Sequence, residues 1–411
     1  MTIMTSGALG LRIVTQAAML TLAANFLGPA GYGTMTAATS IATILSIIPN
    51  LGAGLTVIAQ SQRDPNRVAY AWRFIWPQHL LLGPLVASFY AIGLLQYWSH
   101  EMPAIAVVFI ALSEIVVMPL TLQLGSMLQA LDRVPLSQFL QWIVLLLRVS
   151  AIGACVLYFG AGSPLIAYAE SQLLATIIGL AITATVAARY IVLTGSPRLS
   201  TRTELVSGIA YCATSGVGAA SMEIDKVAAL HATTAWDAGI YATMSRVVSA
   251  GTTPIVGLLM TAQPRLFAHG ASNPPAMRSL VKKIAALSLA VGVLGCVGLN
   301  LCEPLLQTLF GPRFSATSQI LPIMSLAVPA MSLRLAGTNI LLTLGKPFRR
   351  VIVDVSGIIF LTISMLILGN HFGLKGLGIA LVTSEFCLAT CAWAVVLHEL
   401  SRALKFPQLA D

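Results

Sequence analysis

Twelve apolar runs, each bounded by turn residues, set the limits on what this chain can become. They cover residues 7–27, 34–60, 75–97, 103–130, 136–159, 163–188, 205–230, 238–262, 284–302, 317–344, 351–369 and 376–398. A helix crossing the hydrocarbon of a bilayer needs about 20 apolar residues, and every run is of that order. Lipid offers the backbone no hydrogen-bond partners, so a run that crosses must do so as a helix. The expected fold class is therefore all-α integral membrane, with about twelve transmembrane helices. Composition closes off the alternatives. Of the 411 residues 57% are apolar and 9% charged, against about 25% charged in a soluble domain. A soluble enzyme, a disordered chain and a nucleic-acid binder are excluded on that ground, and the net charge of +9 is spread over short loops.

The loops test the count. One alternate set holds Arg63, Arg67, Arg73, Arg133, Arg189, Arg198, Arg202, Arg265, Arg278, Lys282, Lys283, Lys346, Arg349, Arg350, Arg402 and Lys405, 16 basic residues in all. The other set holds Arg313 and Lys375. Basic residues concentrate on the cytoplasmic side, so both termini are expected there, and one span more or fewer would scramble the alternation. The first run, interrupted by Arg12 and lacking a basic stretch ahead of it, reads as a spanning helix and not a cleavable signal. The six cysteines (155, 212, 296, 302, 387 and 391) lie inside apolar runs without metal-ligand spacing, and read as small lipid- or core-facing residues. No phosphate-cradling glycine loop followed by Lys and Ser/Thr is present. No catalytic residue, metal or cofactor is expected.

Two stretches recur at about half the chain length. Ala30-Gly31-Tyr32-Gly33-Thr34-Met35 opens the second run, and Ala238-Gly239-Ile240-Tyr241-Ala242-Thr243-Met244 opens the eighth. Leu128-Gln129-Ala130-Leu131-Asp132-Arg133-Val134-Pro135 follows the fourth, and Leu341-Leu342-Thr343-Leu344-Gly345-Lys346-Pro347 follows the tenth. Six spans per copy give both copies the same orientation, a parallel pseudo-repeat. The expected organisation is an N-lobe at 1–200 with helices one to six, and a C-lobe at 201–411 with helices seven to twelve.

The stretch Phe26-Leu27-Gly28-Pro29-Ala30-Gly31-Tyr32-Gly33, with the span ending Asn50-Leu51-Gly52, resembles the opening of the O-antigen and exopolysaccharide flippases. These belong to the multidrug/oligosaccharidyl-lipid/polysaccharide (MOP) exporter superfamily. Glu223-Ile224-Asp225-Lys226, Gly239-Ile240-Tyr241, Phe310-Gly311-Pro312-Arg313-Phe314 and Leu344-Gly345-Lys346-Pro347 are similar to later family positions. At Asn50 the family often carries an acid. The resemblance implies two six-helix lobes around a central cavity. It also implies alternating access that moves a polyprenyl-pyrophosphate-linked oligosaccharide across a bacterial inner membrane, with the lipid bilayer, glycosyltransferases and a polysaccharide polymerase as partners.

Ionisable residues inside the spans point to function or to pairing, since each costs about 2.5–3.5 kcal/mol at the bilayer centre. Five are basic (Arg12, Arg148, Lys226, Arg246, Arg334) and six acidic (Glu114, Glu170, Glu223, Asp225, Asp354, Glu385). That near balance favours pairing, with anion affinity where an arginine keeps no acid. Arg12 is followed by Gln16 on its face, and Arg246 by Ser249; Thr36, Thr39, Thr43, Ser46 and Asn50 stripe the second span. With the helices that line the cavity in the resembled family, these make Arg12, Gln16, Asn50, Arg246 and Ser249 candidate substrate contacts, the guanidinium fork matching phosphate oxygens. Glu223 and Lys226 are spaced to pair along one helix. Asp225 then points elsewhere, to pair with Arg246, to couple transport to ions or to contact the cargo directly.

Three other readings compete. A drug or cation antiporter of the same superfamily would favour acids and aromatics over arginine in its cavity. A membrane-embedded glycan enzyme would need clustered polar residues at one face, usually with a large loop. A scaffold for glycosyltransferases would have no use for buried polar stripes.

Overall fold

The computed structural model describes residues 2–51, 57, 67–98, 101–158, 162–192, 196–198, 200–259, 266 and 274–405. Arg63 and Arg265, counted above among the inward loops, lie outside the described residues, as do parts of the second and eighth runs. All regular structure among the described residues is helical. Among the described residues eight helices are long and apolar enough to cross a membrane, or nine if the pair Thr317–Ser325 and Ala327–Thr343, bent by 41°, forms one span. The protein is a multi-pass membrane protein.

Two of these helices are too long for one crossing. Val14–Asn50 has 37 residues and Phe348–Arg402 has 55. At about 1.5 Å per residue the second would run more than twice the thickness of the hydrocarbon. Both are broken by glycine. The helix α1 (Thr2–Leu45) changes direction at Gly28, with φ 69° and ψ 172°, a region open in practice to glycine alone. Pro29 follows, pushes the residue before it out of the helical region, and starts the next helical stretch with no donor to lose. Gly311, with φ 74° and ψ −179°, repeats the device ahead of Pro312. In the last helix the break is Gly373, with φ 56° and ψ −136°. The breaks at Gly28 and Gly373 fall between neighbouring apolar runs of the sequence.

Packing divides the chain into two compact units, Met1–Glu223 and Ile224–Asp411. In the first unit α1 and the short α2 (Ile47–Asn50) are followed by α3 (Arg67–Trp98). Next come α4 (Ala104–Ile110), a π-helical stretch at Ala111–Val117, and α5 (Met118–Ala130), then α6 (Val134–Tyr158) and α7 (Pro164–Ala187). The π turn ends just before Pro119, whose missing N–H breaks the regular ladder. The helix α8 (Arg202–Ala232) begins in this unit, where the Cys212 thiol lies 3.5 Å from the Ile47 carbonyl oxygen. Its start is a capping box: Thr201 N–H donates to Glu204 at 2.8 Å and Glu204 N–H to the Thr201 hydroxyl at 3.3 Å.

On α3 the two faces separate by contact. Leu81, Leu85, Phe89 and Ile92 are exposed, whereas Val86, Tyr90 and Leu94 are buried. Both faces are apolar, as for a helix between lipid and protein. The core of the unit gathers Phe74, Ile75, Leu124, Met127, Leu128 and Leu140.

The second unit continues α8 into α9 (Ala235–Ala250). There a turn at Gly251–Thr252 precedes helical residues 253–259, because Pro254 cannot donate to the turn before it. Next are α10 (Pro274–Leu301), α11 (Glu303–Phe310), α12 (Thr317–Ser325), α13 (Ala327–Thr343) and α14 (Pro347–Lys405). Arg278, Lys282 and Lys283, placed in a loop by the sequence, sit on the first turns of α10. The helix runs on past its apolar stretch. The core here gathers Ile255, Val281, Ala336, Ile340, Leu341 and Val396.

The half-chain repeat reappears as local geometry within each unit. Asp132 has φ 59° and Gly345 φ 69°. Arg133 N–H donates to Leu128 O at 2.9 Å, and Lys346 N–H to Leu341 O at 3.0 Å. Both helices therefore end in the same left-handed cap, and Leu128 and Leu341 are each fully buried.

Candidate functional site

The described polar side chains of the spans fall into clusters that belong to one unit or the other. In the first unit, Arg12 lies half-buried on α1 and Gln16 is exposed one turn on. Arg12 Nη1 is 3.4 Å from Gln141 Oε1 on α6, its one hydrogen-bond partner among the described residues. One turn along, the buried Thr15 hydroxyl accepts from Trp142 Nε1 at 3.0 Å. The seam between α1 and α6 is thus polar but neutral apart from Arg12 itself.

Arg148, two turns further along α6, is held differently. Its guanidinium pairs with Glu114 in the π turn and donates to Ser113 Oγ at 3.2 Å. Ser113 meets Thr176 Oγ1 at 3.2 Å, and Gln172 Nε2 donates to the Arg148 carbonyl at 3.3 Å, so α7 joins the same network. The π turn carries this acid, in keeping with the tendency of such turns to mark special sites.

The stripe along the second run is less open than its sequence suggests. Thr39, Thr43 and Ser46 donate to carbonyls of their own helix at 2.7–3.0 Å, a local use of the hydroxyl that competes with ligand contact. Asn50 is engaged by His79, whose Nδ1 lies 3.1 Å from Asn50 Oδ1 and whose Nε2 donates to Val116 O at 2.8 Å. His79 is fully buried on α3. It ties α2, α3 and the π turn together, a role that a lone histidine in an apolar run did not announce. Glu223 accepts from Ser40 Oγ at 2.6 Å.

In the second unit Asp225 and Lys226 are both buried. Lys226 Nζ meets Asp225 Oδ1 at 2.9 Å, while Oδ2 accepts from Tyr241 at 3.0 Å and Ser245 at 2.9 Å. The sequence left Asp225 open for Arg246 or for an ion; its cation here is the next residue along the chain. Arg334 on α13 grips Glu385 with two bonds, at 2.7 and 3.1 Å, and lies 4.0 Å from Asp354. Arg350 in turn lies 3.6 Å from Asp354. Arg246 and Ser249 are exposed on α9, and Glu170 is exposed on α7. No group of three or more His, Cys, Asp or Glu that could hold a metal occurs among the described residues.

These helices and clusters are of a known kind. The profile of the polysaccharide biosynthesis protein family matches residues 2–269, and the chain belongs to that family. Its fold is that of the MOP superfamily of transporters. It is similar to an inward-facing multidrug resistance MATE family transporter of that superfamily, with TM-score 0.77 and 13% identity over 96% of each chain. An outward-facing MATE family transporter matches with TM-score 0.60 and 12% identity, over 98% of this chain and 96% of that one. A MOP superfamily transporter from Pyrococcus furiosus, described by a binding pocket of reverse polarity that suggests a different function, matches with TM-score 0.61 and 12% identity. That match covers 97% of this chain and 94% of the other. No curated protein matches the sequence.

Proposed function

We propose that the protein is a flippase that carries a polyprenyl-pyrophosphate-linked oligosaccharide across the bacterial cytoplasmic membrane by alternating access, for the assembly of a surface polysaccharide. The observation that carries this reading is the conjunction of a polysaccharide biosynthesis family with the fold of a transporter. In the proposed topology twelve spans form lobes 1–200 and 201–411 with both termini cytoplasmic. Glycosyltransferases and a polymerase act before and after it.

The proposed pyrophosphate contacts are Arg12, with Gln16, and Arg246, with Ser249. Arg148, Lys226 and Arg334 each have a carboxylate partner, whereas Arg12 has a neutral amide at a long 3.4 Å. A guanidinium held by an amide keeps donors for phosphate oxygens. Asn50, bonded to His79, is assigned to the frame and not to cargo.

The test is surface polysaccharide in a deletion strain carrying each variant, normalised to protein in the membrane. Arg12→Ala and Arg246→Ala should each abolish polysaccharide, and Arg→Lys, which keeps the charge but loses the fork, should restore part of it. Full polysaccharide from the double alanine variant would sink the site assignment. A drug or cation antiporter is the second reading, favoured by the fold shared with multidrug transporters. It predicts that deletion sensitises cells to organic cations and leaves lipid-linked glycan at its normal level.

A further inference from the structure

Asp225 is a buried carboxylate with a partner on each oxygen. Its Oδ1 meets Lys226 Nζ at 2.9 Å, and its Oδ2 takes the Tyr241 hydroxyl at 3.0 Å and the Ser245 hydroxyl at 2.9 Å. The Lys226 and Asp225 side chains are 6% and 8% exposed. Tyr241 and Ser245 stand one turn apart on α9, so both hydroxyls come from one helix face. Successive side chains on a helix diverge, and neighbours in sequence do not face each other by default. Lys226 overcomes this with its long flexible stem, folding its ammonium back onto the residue before it. Two neutral dipoles on one oxygen and one ammonium on the other form a complete shell for a buried carboxylate.

We propose that Lys226 is a tethered counter-cation. It occupies, as part of the chain, the place beside Asp225 that a soluble monovalent cation such as sodium would otherwise take, and it closes this centre to ion exchange. A second cation brought to Oδ1 would meet the ammonium at contact distance. On the transporter reading, which this inference takes as given, whatever drives the transport cycle does not pass through Asp225. The carboxylate's work is to fix the C-terminal turns of α8 to the middle of α9.

The experiment reads binding and stability, not transport, so that its failure leaves the flippase reading standing. Purified full-length protein is unfolded thermally in sodium chloride and in choline chloride at equal ionic strength. The wild type should melt at the same temperature in both. Lys226→Ala should melt lower in choline and recover part of the loss in sodium or methylammonium, each small enough to enter the vacated space. Adding Asp225→Asn to Lys226→Ala should abolish that recovery. Indifference of Lys226→Ala to both small cations would overturn the proposal. Should Lys226→Ala not accumulate, radioactive sodium binding to the wild type and to Asp225→Asn decides. Equal binding by the two supports the tethered cation, and sodium bound by the wild type but lost in Asp225→Asn overturns it.

Discussion

Removing one partner of a buried ion pair costs more than never having had the pair, because the survivor keeps its charge away from water. Arg148 and Glu114, 14% and 15% exposed, are such a pair. Glu114→Gln alone should therefore destabilise the protein by about 3–5 kcal/mol, read as a fall in the detergent melting temperature. The double replacement Glu114→Leu with Arg148→Met should recover most of that loss. The near balance of five basic and six acidic residues in the spans announced pairing, and Arg148, Lys226 and Arg334 do pair with acids. The partners were not legible. Arg148 on α6 and Glu114 in the π turn stand 34 residues apart, and their side chains meet only in the folded chain. Lys226 took an adjacent acid that helix geometry alone would have passed over, and His79 found Asn50 across three elements.

Elements end and bend where a few residues dictate it, and here the sequence was more informative. The matched stretches after the fourth and tenth runs turn out to be one cap built twice, with Asp132 and Gly345 in the left-handed position. Only glycine holds that conformation without strain, the usual penalty for other residues being about 1–2 kcal/mol. Two opposite outcomes follow. Gly345→Ala, where an added Cβ meets nothing within 4 Å, should lower stability by about 1 kcal/mol. Asp132→Gly should raise it by an amount of the same order. Thermal unfolding of the two variants beside the wild type checks both. What the sequence missed at this scale was continuity: α10 begins at Pro274 and carries Arg278, Lys282 and Lys283 on helical turns. Turn residues locate where an apolar stretch stops, but a helix can continue into water on backbone bonds alone.

For the molecule as a whole, the segregation of 16 basic residues in one alternate set of segments between the apolar runs from 2 in the other is the strongest statement about orientation. It predicts that single cysteines at Asn66 or Asn273 resist a membrane-impermeant reagent in intact cells, whereas those at Ala161 or Asn370 react. External labelling at Asn66 would break the proposed topology. The same scale shows a cost that the finished fold hides. Ribosomes deliver spans in order, and a charge enters lipid before its partner has been made. Lys226 arrives with Asp225 already beside it, but Arg334 precedes Glu385 by 51 residues. At about 5–20 residues per second that is a wait of roughly 3–10 s, with Asp354, 4.0 Å away in the folded protein, arriving part-way through it. A chain broken off before its last span is left with an arginine in the membrane and without its two-bonded acid, a mark by which membrane proteases can tell an unfinished copy from a finished one.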